Sequence, residues 1–319
     1  MRLRDTGAPA GPDIYRNIAI PLGLTEDKWL TAIDMKPSAR SVVHHVLYFD
    51  DPKGEAHLKA QQGAEPGYSG MRAGASTSAG GEPLGGWAVG AQPHFQPEGL
   101  AQRVTKGSDL VIQYHFHPTG KAEAERSQIG LYFAKKAPER TLMSVQLPPV
   151  YSLFSGLDIP AGDKDFVIRD SWTLPVAFDA VSVGAHAHYL GKQLKMTATL
   201  PDGEVKTLLN IKDWDFAWQD RYIFDKLVPL PKGTRLDVEI HWDNSAENPK
   251  NPSNPPVRVT WGEQSKDEMG AVTLIGVPHD EKDLRLGHGE YLSHRRSMAA
   301  ERMLTDPATR AKVRELLEQ

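Results

Sequence analysis

Two histidines, His186 and His188, stand one residue apart in the apolar stretch Val183-Gly184-Ala185-His186-Ala187-His188-Tyr189-Leu190-Gly191-Lys192. Side chains of a β-strand alternate in direction with period two, so both imidazoles would leave one face and can converge on one metal ion. Two more clusters repeat the theme. His44 and His45 are adjacent in Val42-Val43-His44-His45-Val46-Leu47. Adjacent strand residues point to opposite faces, so this pair can share a metal only if the backbone twists or bulges there; otherwise one ring is buried and the other exposed. In Leu110 to His117, the face carrying Val111, Gln113, His115 and His117 is unusually polar beside the face of Leu110, Ile112, Tyr114 and Phe116.

The clusters are evenly spread. His45 and His115 are 70 positions apart (115 − 45), His117 and His186 are 69 (186 − 117), and His188 and Met269 are 81 (269 − 188). The economical assignment is one metal per half: His44, His45 and His115 in the first, His186, His188 and Met269 in the second. Cysteine is absent, so thiolate sites are excluded and the available ligands are His, Met, Asp and Glu. A three-histidine site alone suits zinc. A thioether is a soft ligand that favours Cu(I), so a His-His-Met site beside it makes copper the better match. Against this stand a core role for Met269 and a zinc hydrolase built on the three histidines.

The elements around these residues read as short alternating strands separated by turns, with a hairpin at Pro201-Asp202-Gly203. The expected fold is all-β. Its domains are 1–148 with the first site and 149–280 with the second, with Pro148-Pro149 as hinge. A polar tail over 281–319 carries two short helical patterns, Met298–Leu304 and Ala308–Leu317, which would pack on the β body or mediate self-association into a homo-oligomer. Residues 51–86 are expected to be a long irregular excursion with a helical turn near 56–62, and His288 and His294 to be solvated. The net charge of −4 and the lack of a basic block argue against nucleic acid as a partner. No apolar run predicts a transmembrane segment. No phosphate loop on a βα unit and no G-x-S-x-G elbow occur, which argues against nucleotide enzymes and α/β-hydrolases. The first residues lack the apolar core of a signal peptide, so the expectation is a cytoplasmic chain or one whose leader is not present here.

Taken together, Val43-His44-His45, Gln113-Tyr114-His115, His186-Ala187-His188-Tyr189-Leu190-Gly191-Lys192 and Asp267-Glu268-Met269 resemble, in order and spacing over residues 14–278, the copper type II, ascorbate-dependent monooxygenases. That family includes peptidylglycine α-hydroxylating monooxygenase and dopamine β-monooxygenase. The resemblance implies two jelly-roll β-sandwich domains facing each other across a cleft, each holding one copper. It implies an electron-supplying site at His44, His45 and His115 with Gln113 beside it, and a dioxygen and C–H hydroxylation site at His186, His188 and Met269. Dioxygen, ascorbate and a small-molecule substrate would be the reactants, in the periplasm or outside the cell. Three departures stand out. There are no disulfides. Gly184 and Thr273 occupy the positions where the peptide branch clamps a carboxylate with Arg and Tyr. His117 lies outside the family pattern, as a replacement for His115, a fourth ligand or an unliganded neighbour. A copper-binding or electron-transfer protein without turnover is the alternative.

Overall fold

The computed structural model describes residues 2–3, 13–63, 65–70, 83–121, 123–148, 153–262 and 264–317. These are mostly strands, with helices concentrated at the C-terminal end, and they divide into two compact units, Met1–Thr141 and Leu142–Gln319.

The first unit holds β1 (Ile14–Pro21), β2 (Lys28–Lys36), β3 (Val43–Asp51), α1 (Glu55–Ala60), β4 (Pro83–Ala88), β5 (Leu100–Val104), β6 (Asp109–Phe116) and β7 (Gln128–Phe133). One sheet runs Tyr68–Ser69, β1, β6, β3, β4; the other runs β7, β2, β5 and the short strand Arg140–Thr141. Both contribute to one core, with Leu30 and Met35 from the second sheet and Val46, Tyr48, Ile112 and Phe116 from the first. β6 is buried along its whole length, as expected of a strand paired on both edges and covered on both faces. The expected excursion over 51–86 contains α1 and the start of β4, and its residues 71–82 lie outside those described. β5 was not anticipated: Leu-Ala-Gln-Arg-Val is too short for a periodicity to stand out.

The second unit holds β8 (Met143–Leu147), β9 (Phe166–Thr173), β10 (Phe178–Ala187), β11 (Gly191–Thr199), β12 (Val205–Ile211), β13 (Arg221–Leu230), β14 (Arg235–Trp242) and β15 (Gly270–Pro278), then α2 (Leu284–Thr305) and α3 (Pro307–Leu317). Its two antiparallel sheets run β8-β15-β10-β13 and β9-β14-β11-β12. Inward residues of both sheets, among them Val145, Val183, Leu274, Met196, Ile240 and Trp242, form one core cluster.

The unit boundary falls between Thr141 and Leu142, not at 148, because β8 pairs with β15 over Met143–Leu147. Pro149 of the expected hinge lies outside the described residues. The first helix of the tail is longer than expected, and it packs on the β body, as one of the two readings of the tail had it. Leu284 to Thr305 is one continuous helix, and it docks on the second unit through Tyr291, which packs against Trp172. His288 is exposed as expected, but His294 is not solvated: its side chain is 18% exposed and Nε2 lies 3.4 Å from Asp170 Oδ2. Helical spacing places His294 almost a full turn after Tyr291, on the docked side.

Candidate metal centres

In the first unit the sheet brings three histidines to one point. β3 and β6 pair with Val43 opposite Phe116 and His45 opposite His115, so the register slips and His44 is the extra residue of a β-bulge. The bulge lets adjacent residues turn their rings inward together. His44 Nδ1 lies 3.0 Å from His45 Nδ1, and His115 Nδ1 lies 3.3 Å from it. The ring centroids are 4.6–5.2 Å apart. Among the described residues this is the group of three or more His or acidic side chains whose ligand atoms come within metal-binding distance of one another.

The donor geometry fits a small metal ion. Nitrogens about 2.0 Å from a metal at tetrahedral angles are about 3.3 Å apart. His45 Nδ1 faces two other ring nitrogens, and a neutral imidazole nitrogen has either one proton or one lone pair to offer. It cannot satisfy both neighbours by hydrogen bonding, whereas a cation between the three satisfies all of them.

The surroundings fix His115 in place. Tyr15, its partner on β1, stacks on the ring with centroids 4.4 Å apart. Asp13 Oδ2 lies 3.1 Å from His115 Nε2, while Asp13 Oδ1 lies 2.8 Å from His117 Nδ1. His115 is 1% exposed and His117 is 49% exposed. The structure therefore gathers His44, His45 and His115 and sets His117 apart on the Asp13 carboxylate. Gln113 is buried on the same strand and donates to Asn17 Oδ1 at 2.9 Å.

In the second unit the rings of His186 and His188 meet edge to face with centroids 5.2 Å apart. His186 Nδ1 is 2.6 Å from Gln219 Oε1, and His188 Nδ1 is 3.1 Å from the Asp267 carbonyl oxygen. Both partners are acceptors, so each Nδ1 carries the proton and each Nε2 carries the lone pair, the tautomer that ligates through Nε2. The β10–β15 register pairs His186 with Ala271 and Ala187 with Gly270, which brings the buried Met269 beside the His188 turn.

Glu268 ties this turn together. It is fully buried and accepts from the backbone N–H groups of His188, Leu190 and Met269 and from Trp242 Nε1, at 2.6–3.0 Å. Burial pushes its carboxyl up to about 8 against the pull of those four donors. Trp214 Nε1 donates to the His188 carbonyl. Gly191 follows because a Cβ there would sit 2.7 Å from Ala187 Cβ and from Trp214 Cδ1. The Leu-Gly and Asp-Glu-Met motif residues are thus the mounting of the two histidines.

Asp13, Tyr15, Gln219 and Trp214 carried no sequence signal. Asp13 falls in a Gly/Pro-rich arm, and the other three act through pairing partners far away in the chain. Glu268 lay inside a recognised motif, but its role is visible only once the His188 turn is folded onto it.

No family model matches the chain, and no curated protein matches it. Solved structures aligned to it include Sulfolobus Turreted Icosahedral Virus, at 6% identity over 94% of this chain and 99% of that chain with a TM-score of 0.28. Infectious bursal disease virus Gt strain aligns at 9% identity over 86% and 69%, TM-score 0.24. The same virus's VP2 subviral particle aligns at 8% over 88% and 74%, TM-score 0.23. Overlaps at this level carry no argument about fold or function.

Proposed function

We propose that this chain is a dicopper monooxygenase that hydroxylates a C–H bond of a small substrate, with dioxygen as oxidant and ascorbate or a similar reductant. The observation that carries the proposal is the convergence of His44, His45 and His115 through their Nδ1 atoms, with a second histidine pair held in the Nε2-ligating tautomer. Each unit is read as a jelly roll. The orders β8-β15-β10-β13 and β9-β14-β11-β12 are those of eight strands wound as two Greek keys, and β1-β6-β3-β4 with β2-β5 follows the same scheme in part. The chemistry fits the periplasm or the exterior.

In the overall reaction, reductant gives up two electrons, dioxygen delivers one oxygen atom into the C–H bond, and the other leaves as water with two protons. Copper, when bound, supplies single-electron storage and dioxygen activation. The protein does the rest. Asp13 and Tyr15 orient His115, Gln219 and the Asp267 carbonyl set the tautomers of His186 and His188, and Glu268 holds Met269 beside them. Soft sulfur at Met269 favours the reduced metal.

Copper content of the reconstituted full chain, read with ascorbate-dependent oxygen uptake, tests this. Two coppers and uptake above free copper support it, and Met269→Ile then abolishes turnover while the first copper stays bound. Two coppers that are reduced without consuming oxygen point instead to a copper-binding or electron-transfer protein, a reading favoured by Gly184 and Thr273 in place of a carboxylate clamp. Turnover without reductant, indifferent to Met269, would indicate a zinc hydrolase.

A further inference from the structure

The two strands that carry the first histidine centre meet, at their other end, in a pair of carboxylates. β3 closes on Asp50 and Asp51, and β6 opens on Asp109. The register sets Asp51 directly opposite Asp109. Directly opposed residues of antiparallel strands project on the same side, with Cβ atoms about 4.5–5.5 Å apart. α1 reaches the same row. Asp51 Oδ2 accepts from the Ala56 backbone N–H at 2.8 Å, and Asp109 Oδ2 lies 3.7 Å from Nδ1 of the next residue, His57. Both carboxylates therefore meet beside Ala56 and His57. Asp50 points to the other face, where it accepts from the Thr105 N–H and hydroxyl.

The place is short of donors and of positive charge. Asp51 is 0% exposed and Asp109 is 8% exposed. Asp51 Oδ1 is buried, and among the described residues no donor reaches it. The contact from His57 to Asp109 is longer than a hydrogen bond. Burial raises the Asp109 carboxyl above its ordinary range; His57 pulls it down, and the facing Asp51 charge pushes it further up. Like charges directly opposite each other destabilise a strand pair, and a buried carboxylate oxygen without a partner adds to the cost. A cation held between the two carboxylates answers both.

We infer that Asp51 and Asp109 form a site for a hard divalent cation, calcium being the best match, which ties the ends of β3 and β6 together beside α1. Carboxylate oxygens suit hard cations, whereas imidazole and thioether donors suit softer ones. Calcium holds oxygens at about 2.3–2.6 Å in a flexible shell, so two carboxylates at strand-pair spacing reach one ion, with backbone oxygens and water completing the shell. Magnesium demands strict octahedral geometry and gives up water reluctantly, which the fully buried Asp51 disfavours. The site lies six residues along each strand from His45 and His115 (51 − 45 and 115 − 109). That is about 20 Å of extended chain. It therefore stands apart from the first histidine centre and does not rest on the proposed function.

The test is calorimetric titration of the full chain, stripped with a chelator, against calcium and against magnesium, together with thermal melting. One calcium should bind per chain with a Kd of about 0.1–1 mM, the range of extracellular modules, and magnesium at least ten-fold more weakly. Calcium at about 10 mM should raise the Tm of the parent by at least about 3 °C. Asp109→Asn should lose that shift and bind calcium at least ten-fold more weakly. Without calcium it should melt no lower than the parent, because one of two facing charges is gone. Asp51→Asn keeps an acceptor for the Ala56 N–H, should lose calcium in the same way, and carries the test where Asp109→Asn does not fold. The absence of saturable calcium binding overturns the site. So does parental calcium affinity in the variants, which marks adventitious surface binding, and so does magnesium binding as tight as calcium, which marks a loose counter-ion. An Asp109→Asn that melts higher, while calcium leaves the parent unchanged, shows a proton shared between the two carboxyls and overturns it as well.

Discussion

His115 and His117 leave β6 on the same face, yet their surroundings separate them. His115 is stacked under Tyr15 and aims Nδ1 at His45, while His117 is half exposed on Asp13. Copper content after desalting should therefore fall by one per chain in His115→Ala and stay at the parental value in His117→Ala; the reverse pattern would move the first centre. Glu268 makes a sharper case. Above about pH 8, where its carboxyl is ionised, both oxygens accept from the four donors, and glutamine would turn an amide N–H toward at least one of them. An orphaned buried donor facing a misplaced amide costs about 2–4 kcal/mol. For a unit of this size that is a loss of roughly 5–15 °C in Tm, read by thermal unfolding of Glu268→Gln. The second copper should weaken with it, while the first stays, because the four hydrogen bonds of Glu268 all lie within the second unit.

At the scale of elements, the strands were legible because their periodicity is strong: along Arg235–Trp242 every second residue is buried and those between are more open, without a break. The His44 bulge was legible only as a condition, since two adjacent histidines cannot share a face on a regular strand. What the chain did not disclose is pairing. Gly184 meets Arg221 and Thr273 only through register, and of the helix Leu284–Thr305 only Met298–Leu304 reads as helical in the sequence, because the earlier turns are polar and glycine-containing. One side chain of the helix hydrogen-bonds the backbone of β8. Tyr291 Oη accepts from Gln146 N at 2.9 Å and donates to Gln146 O at 2.8 Å. Tyr291→Phe leaves both backbone groups orphaned and should cost about 1–3 kcal/mol, seen as earlier proteolytic release of the tail. On β14, His241 loses favour for its charge through partial burial, but Glu239 and Asp165 outweigh that and raise its pKa. The stabilisation is fully present below the unfolded value near 6.5 and is lost as pH rises through the raised folded value. Melting curves of parent and His241→Gln should separate at pH 5.5 and converge at high pH.

The two histidine centres belong to different units, each with its own core. Metal binding at one then has no structural reason to alter the other, whereas a two-electron oxygenation needs both. His45→Ala and His188→Ala should each lose one copper, and the remaining site should keep its affinity within a few fold, since substitutions without shared contacts add. Oxygen uptake driven by reductant should behave in the opposite way. Either substitution alone should reduce it at least 100-fold, and the double variant should be no worse than the weaker single, as expected for groups that act as a unit. Additive metal loss with non-additive activity loss is the signature of two separately built centres serving one reaction. If oxygen uptake instead falls by half in each single variant, the centres act independently, and two redox sites sharing a chain would replace one monooxygenase.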